Sequence, residues 1–178
     1  MKDLILKEII DNTLKKLKPM LLVISLTILT TACNNHKNEN KMSAENNSSI
    51  FPLGNPGSSD WFSGEVHVQT LVTPQQMENL YNVGQVTFSP RGRTHWHTHP
   101  IGQVLLITEG KGWYQERGKP AQKLTKGSTV AIPKGVEHWH GAAADSKMVH
   151  IAISNMLNGN NVTWTTPVTD DEYAAVNK

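Results

Sequence analysis

The chain has 178 residues, of which 38% are hydrophobic and 18% charged, a composition typical of a globular protein. Its formal charge of +2 arises at the N-terminus, because residues 1–32 contain five lysines and three acidic residues, whereas residues 33–178 contain twelve of each sign. The neutral body lacks the basic surface that nucleic-acid binding uses, so we expect no nucleic-acid partner.

Residues 1–32 have the layout of an export signal. Three lysines precede the apolar run 20–29, and small residues follow it up to Cys33. The run is shorter than the ~20 apolar residues that a membrane span needs. The arrangement resembles the lipobox of bacterial lipoproteins, which implies a lipid anchor at Cys33 and a place in the bacterial cell envelope, periplasmic or at the outer membrane. The alternative is an ordinary cleaved signal followed by an unrelated cysteine.

The stretch 33–50 is rich in Asn, Lys, Glu and Ser and has no hydrophobic periodicity. Such a segment buries too little apolar surface to order itself, which predicts a flexible linker. Cys33 is the chain's only cysteine, so no disulfide supports the fold. We expect residues 51–178 to form one folded domain.

That domain consists of short β-type segments separated by turn residues. We predict strands within 61–72, 83–89, 104–108, 112–116, 121–125, 128–132, 137–142, 148–154 and 162–168, together with the histidine-rich segment 93–103. Only 74–82 and 170–176 have helical character, and it is weak. Many short strands with regular turns predict an all-β sandwich or barrel.

Three histidines stand at alternate positions, His95, His97 and His99, and Gln103 follows four residues later. Side chains at alternate positions of an extended strand leave the same face. Imidazole is the commonest metal ligand in proteins. The run therefore indicates a metal site.

Two spaced motifs extend from this run: His97-x-His99-x3-Gln103-x6-Gly110 and Gly127-x5-Pro133-x-Gly135-x2-His138. They resemble the two motifs of the cupin superfamily. The resemblance implies a single jelly-roll β-barrel around a divalent metal, with His97, His99, Gln103 and His138 as its ligands. His95 falls outside the set, because a pair at 95 and 97 leaves too long a gap before 103.

The segments 61–62, 94–100, 102–103 and 137–142 bring the chain close to small bacterial cupins that include manganese-dependent hydroxynitrile lyases and carboxymuconolactone-decarboxylase-associated cupins. The chain departs from the related patterns at four positions. Arg91 and Ala142 replace a glycine and an asparagine that are usual in cupins, and His95 and Ser154 replace a small residue and a glutamine near the pocket of the lyase relatives. The last two bear on the substrate more than on the metal.

Three neutral imidazoles and a neutral amide leave the charge of a divalent cation uncancelled, so the ion is a strong Lewis acid. The resemblance implies Mn, and Fe, Ni, Co and Zn accept the same nitrogen and oxygen donors.

Two further histidines are candidate catalytic residues. His140 follows His138 by two positions, so a continuing strand directs both into one cavity. It is either a general base or a structural histidine. His150 shares a strand face with Ala152 and Ser154 and either lines the pocket or is a core histidine.

The resemblance implies a metal-dependent lyase that acts on a small molecule of the cyanohydrin type. The alternatives are a non-catalytic binding or sensing module at the cell envelope and a metal-dependent dioxygenase or isomerase. Cupins of this size often form homodimers, which the family resemblance, and no residue pattern, implies for this chain.

Overall fold

The computed structural model describes residues 49–176, which form twelve β-strands, one 3-10 turn and one short helix. The strands are β1 (Asn55–Pro56), β2 (Phe62–Ser63), β3 (Val66–Val72), β4 (Tyr81–Phe88), β5 (Arg93–Thr94), β6 (His97–Thr98), β7 (Gln103–Glu116), β8 (Gln122–Thr125), β9 (Thr129–Ile132), β10 (His138–Ala142), β11 (Met148–Asn155) and β12 (Thr163–Trp164). The 3-10 turn is Pro74–Met77, and the helix α1 is Asp170–Val176.

All strand pairs are antiparallel, and the long strand β7 joins two groups of them. Its first half, Gln103–Leu106, pairs with β9 on one edge and with β11 on the other, and from β11 the sheet continues through β4, β3 and β1. Its second half pairs with β8 and β10, and β10 pairs in turn with β5 and β6. Gly110, in the left-handed region at φ 68°, lies between the two halves. The sheet therefore curls into a barrel-like shell around a common interior.

The main hydrophobic core fills this interior and draws on both halves of β7, with Leu105 and Ile107 from the first and Tyr114 from the second. Phe88 from β4 and Leu124 from β8 complete its buried centre. A second cluster, formed by Trp96, Trp139, Val168 and Tyr173, lies between β10 and α1. The curled antiparallel architecture confirms the prediction of an all-β, jelly-roll cupin fold.

Several predicted elements differ from those observed. The histidine-rich segment 93–103 is not one strand, because its pairing is limited to Arg93–Thr94 and His97–Thr98 before Gln103 begins β7. The segments 104–108 and 112–116 belong to one continuous strand, since Gly110 bends the backbone without ending the pairing. Residues 74–82 contain only the 3-10 turn, and strand pairing with β11 takes over from Tyr81. In 162–168 the strand is limited to Thr163–Trp164.

The export signal 1–32, the lipidation site Cys33 and the linker up to residue 48 lie outside the described residues. Among residues 49–176 no helix has the length and apolarity to cross a membrane.

Candidate metal centre

A cavity of about 120 Å³ opens inside the barrel. Its wall combines polar side chains near the histidine run with an apolar surface. The lining residues are Phe62, Val68, Val86, Thr94, His97, His99, Gln103, His140, His150, Ala152, Ser154, Asn161, Val162 and Trp164. Hence β6, β7, β10, β11 and the segment leading into β12 all contribute to one site.

Three of the four predicted ligands, His97, His99 and Gln103, line this cavity, and His138 lies directly behind them without lining it. His97 of β6 pairs with His138 of β10, and their ring centroids are 4.2 Å apart. The ring of His99 lies 5.1 Å from that of His97 and 5.6 Å from that of His138. Gln103 begins β7 at the cavity wall. All four side chains are buried.

Backbone carbonyls orient the three imidazoles. The Nδ1–H of His97 donates to the carbonyl of His95 and that of His138 to the carbonyl of Val136, each at 2.9 Å. His99 bonds in the same way to the carbonyl of Asn161. Because a carbonyl oxygen only accepts, each Nδ1 carries the proton and each Nε2 keeps its lone pair. This is the second-shell pattern usual for histidines that bind metals.

Gln103 is oriented by a side chain. Its Nε2 donates to the Ser154 hydroxyl at 3.0 Å, which leaves Oε1 buried and without a hydrogen-bond partner. The Nε2 atoms of His99 and His138 are likewise buried and unpartnered. Buried acceptors of this kind are rare and costly unless a ligand satisfies them. These residues therefore fit a divalent cation, which nitrogen and amide-oxygen donors bind well.

Gly102 gives Gln103 its position. Its φ of 100° lies in the left-handed region, and an added Cβ would stand 2.5 Å from the carbonyl oxygen of Ile132. Only glycine lets the chain turn this closely past the end of β9. The turn returns the backbone into β7 with the Gln103 side chain directed inward.

His140 and His150 face each other with ring centroids 4.8 Å apart, and both line the cavity. Neither ring nitrogen of either residue has a hydrogen-bond partner within residues 49–176. Phe88 packs against both rings, at 5.8 Å from His140 and 5.5 Å from His150. The shared inward face of His138 and His140, and that of His150, Ala152 and Ser154, are as the sequence predicts.

A second possible group of ligands includes His140. Nitrogens of His97, His138 and His140 lie within 4.8 Å of one another, so the His cluster can hold a metal ion. His140 differs from the other two, because no carbonyl fixes its tautomer. Hydrogen-bonded second-shell partners accompany almost all metal-binding histidines, and we therefore give His99 and Gln103 more weight as ligands than His140.

Burial lowers the pKa of every histidine at the cavity. It lowers the pKa of His150 to about 4, and that of His138 to about 4 with a further small contribution from His99. Burial, reinforced by the neighbouring imidazoles, holds the pKa of His97 and His140 well below the usual 6.5. All these rings are neutral at pH 7, the state in which imidazole binds a metal or accepts a proton.

His95 is the member of the run that the cavity does not include. Its side chain is buried beside Asp60, and the chain leaves extended conformation between β5 and β6. Its backbone carbonyl nevertheless accepts the Nδ1–H of His97. The residue serves the site through its main chain.

A curled antiparallel barrel with imidazoles converging on its interior is the architecture of the cupins, and this chain belongs to the cupin family. The Cupin domain model matches residues 84–154, a range that includes all six candidate site residues of the barrel. The chain is 42% identical over 117 residues, covering 66% of its own length and 88% of the relative, to a protein of Granulicella tundricola named (R)-mandelonitrile lyase.

Solved structures agree with the fold. A cupin-like protein of Thermotoga maritima is 50% identical to this chain, with a TM-score of 0.70 over 72% of this chain and 97% of the other. A predicted oxalate decarboxylase from the same organism reaches a TM-score of 0.53 at 19% identity, covering 58% of this chain and 93% of its own. At that identity the likeness concerns the fold alone.

Proposed function

We propose that this cupin is a divalent-metal-dependent lyase that cleaves and forms small cyanohydrins. The observation that supports the proposal is the hydrogen bonding of the four predicted ligands. One polar atom of His97, His99, Gln103 and His138 is held by a hydrogen bond, and the other atom, Nε2 of each imidazole and Oε1 of the amide, keeps a lone pair for a metal. The relative named (R)-mandelonitrile lyase supplies the substrate class.

A divalent cation held by these four residues supplies a Lewis acid for an oxygen or nitrile of the substrate. Because the ligands are neutral, the site favours an anionic group next to the metal. We propose manganese, with Fe, Ni, Co and Zn as the alternatives that the same donors accept.

His150 is the general base of the proposed reaction. Its neutral ring takes the proton of the cyanohydrin hydroxyl, the bond between the carbinol carbon and the nitrile carbon breaks, and the electron pair leaves with cyanide. The proton then passes to cyanide to give hydrogen cyanide and a carbonyl compound. His150 suits the role because it lines the cavity with two unpartnered nitrogens and lies on β11, two strands along the sheet from β10, which carries the predicted ligand His138.

His140 has the second role in proton transfer. Its ring stands between His150, at 4.8 Å, and His97, at 5.4 Å. A neutral imidazole there keeps the hydroxyl of a bound substrate in line with His150, in the positioning sense of proximity catalysis. We expect His140→Ala to lower turnover less than His150→Ala does.

The test combines metal analysis with turnover. The purified protein should contain about one divalent ion per chain and release benzaldehyde from mandelonitrile. His150→Ala should lower kcat by ~10²-fold or more, the usual contribution of a general base, with unchanged metal content. Metal without turnover of cyanohydrins refutes the lyase and leaves the binding or sensing module, or dioxygenase or isomerase chemistry. Absence of stoichiometric metal refutes the metal centre itself.

We propose further that the protein is a lipoprotein of the bacterial cell envelope, anchored through Cys33, as the signal-like N-terminus suggests. Labelled palmitate should be incorporated into the wild type and lost in Cys33→Ser. A wild type that never takes up the label refutes the anchor.

We also propose a homodimer formed through the outer face of β7 and β11. The outward residues Val104, Leu106, Ile151 and Ile153 are adjacent in register, apolar and at least partly exposed. An uncharged face meets a two-fold copy of itself without charge repulsion. Analytical ultracentrifugation should find a dimer that Leu106→Glu dissociates and that Thr125→Glu, on the exposed strand β8, leaves intact. A monomeric wild type refutes the dimer.

A further inference from the structure

A second cavity of about 450 Å³ adjoins the histidine-lined one. Five residues line both cavities, so the two spaces lie side by side: Phe62, Val68, Asn161, Val162 and Trp164. The outer cavity is completed by residues 55–58, Trp61 and Asn82. It contains none of the candidate catalytic or metal-binding residues, and the lyase reaction proposed above does not use it.

Three aromatic rings line the outer cavity, Phe62 and Trp164 on the common wall and Trp61 at the rim. The rings of Trp61 and Trp164 are nearly parallel, with centroids 5.9 Å apart and 8° between their planes. Phe62 meets Trp164 edge-on at 5.8 Å. Trp164 also packs on His97, with ring centroids 4.6 Å apart. An aromatic surface therefore runs without a break from a predicted metal ligand to the outside.

Trp61 is unusual for its exposure. Nearly half of its surface, 47%, is accessible, although a tryptophan is among the residues that gain most from burial. Its backbone carbonyl accepts the amide of His95 at 2.8 Å, and this bond holds the residue at the rim independently of the ring. A tryptophan fixed by its main chain with its ring at a cavity mouth is well placed to contact a ligand.

The inner cavity is too small to hold a whole aromatic ligand together with its polar end. Cavities of roughly 150 Å³ take a single benzene molecule, and the inner cavity has about 120 Å³. Mandelonitrile adds a hydroxyl-bearing carbon and a nitrile to a benzene ring, so it exceeds the inner space. Its polar end reaches the histidines only if the ring remains in the outer cavity.

We propose that the outer cavity is a binding site for a planar aromatic substituent of the substrate, which lies against Trp61 and Trp164 while the hydroxyl or carbonyl end occupies the histidine-lined cavity. The inference rests on the proposed function for the identity of the polar end only. The ligand class is an aromatic aldehyde or its cyanohydrin. The outer volume is large enough for a fused two-ring system, whereas short aliphatic aldehydes bind in the inner cavity alone.

The test measures binding instead of turnover. Naphthaldehyde and propionaldehyde are titrated into the purified metal-free protein, and binding is followed by saturation-transfer NMR. Trp61→Ala should weaken naphthaldehyde binding about tenfold and change propionaldehyde binding less than twofold. Trp61→Phe keeps a flat ring and should recover most of the affinity. Phe51→Ala, which removes a partly exposed aromatic side chain from a separate groove, is the matched control and should change neither.

Two outcomes overturn the inference: an unchanged affinity of Trp61→Ala for naphthaldehyde, or an equal loss for both aldehydes. Thermal unfolding of each variant separates a lost contact from a lost fold. If the alanine variant is unstable, Trp61→Leu, which removes the flat ring and keeps an apolar side chain, takes its place with the same two expected affinities. Because no metal and no turnover enter the measurement, a failed lyase assay leaves this result standing. If the protein is an active lyase and Trp61→Ala leaves the naphthaldehyde affinity unchanged, the outer site alone is refuted.

Discussion

Two buried regions of this barrel differ in how their polar side chains are hydrogen-bonded. Around α1, Arg93 donates to the carbonyl of Val168 and to Asp170, and the Tyr173 hydroxyl donates to the carbonyl of Ala142 at 2.8 Å. At the cavity, His99, Gln103 and His138 each keep one buried polar atom without a partner, and His140 and His150 keep two.

The difference distinguishes buried polar groups that stabilise the fold from those that are available to bind a ligand. An unsatisfied buried polar group costs about 1–3 kcal/mol, so a fold retains such groups only where another need outweighs stability. The arginine and tyrosine near α1 hold the C-terminal helix on the barrel, and Arg93 also packs over the ring of Tyr173 at 4.8 Å. The histidines instead leave lone pairs available for a ligand. Substitutions in the two regions should therefore change different observables.

The largest effect is expected at a ligand. His97→Ala should lower the affinity for a divalent metal by more than ~100-fold, since loss of a ligand exceeds the 10–100-fold effect of a lost second-shell partner. The free energy of unfolding of the metal-free protein should change much less. Metal titration by calorimetry and urea unfolding measure the two quantities. A variant with intact metal affinity would contradict the ligand set.

Arg93→Ala should lower the free energy of unfolding and leave metal affinity nearly unchanged, the reverse of His97→Ala. It removes the donors to the Val168 carbonyl and the Asp170 carboxylate, and we expect a loss of about 2 kcal/mol in the free energy of unfolding. Metal affinity should stay within twofold of the wild type, because the guanidinium does not line the cavity. A large loss of metal affinity in a folded Arg93→Ala protein would contradict the independence of the α1 region and the cavity.

Ser154→Ala tests the hydrogen bond that orients the Gln103 amide. Without the hydroxyl, the Gln103 amide loses the acceptor that directs Oε1 inward, and metal affinity should fall by about tenfold. Ser154→Thr retains a hydroxyl and is the matched control. Equal metal affinities for the alanine variant and the wild type would exclude Gln103 Oε1 as a ligand.

Acidification should destabilise the metal-free protein between pH 6.5 and about pH 4. Because burial lowers the pKa of His150 to about 4, the unfolded chain binds its proton near pH 6.5 and the folded chain does not. Stability is therefore complete above pH 6.5 and is lost as the pH falls, by up to about 1.4 kcal/mol per pH unit for each such histidine. Urea unfolding across this range measures the slope, and His150→Phe should reduce it. A pH-independent stability would contradict the buried neutral ring.

The smallest effect is expected for Tyr173→Phe. The change removes one buried hydroxyl that donates to the carbonyl of Ala142 and keeps the ring, so we expect a loss of about 1 kcal/mol. Metal affinity and the pH slope should match the wild type. A change in either of them would show that the helix region and the cavity are coupled.

Sequence reasoning identified the fold class, and its limits lie in particular contacts. The resemblance to the cupin motifs named His97, His99, Gln103 and His138, of which the first three line the cavity, and the alternation around His150 indicated the side chain that lines it with Ala152 and Ser154. The role of Ser154 was visible only as a departure from a family pattern. The carbonyl of Asn161, 62 positions from its partner His99, gave no signal.

The sequence by itself determined which side chains share a strand face, because the face of a side chain in a strand follows from its position alone. The tertiary structure decided three further points: which imidazole nitrogen carries its proton, that His95 serves through its main chain, and that Trp61 meets Trp164 at the cavity mouth. Backbone carbonyls are the same in every residue type, and pairs brought together only by the curl of the sheet share no local pattern. These contacts therefore require the folded barrel.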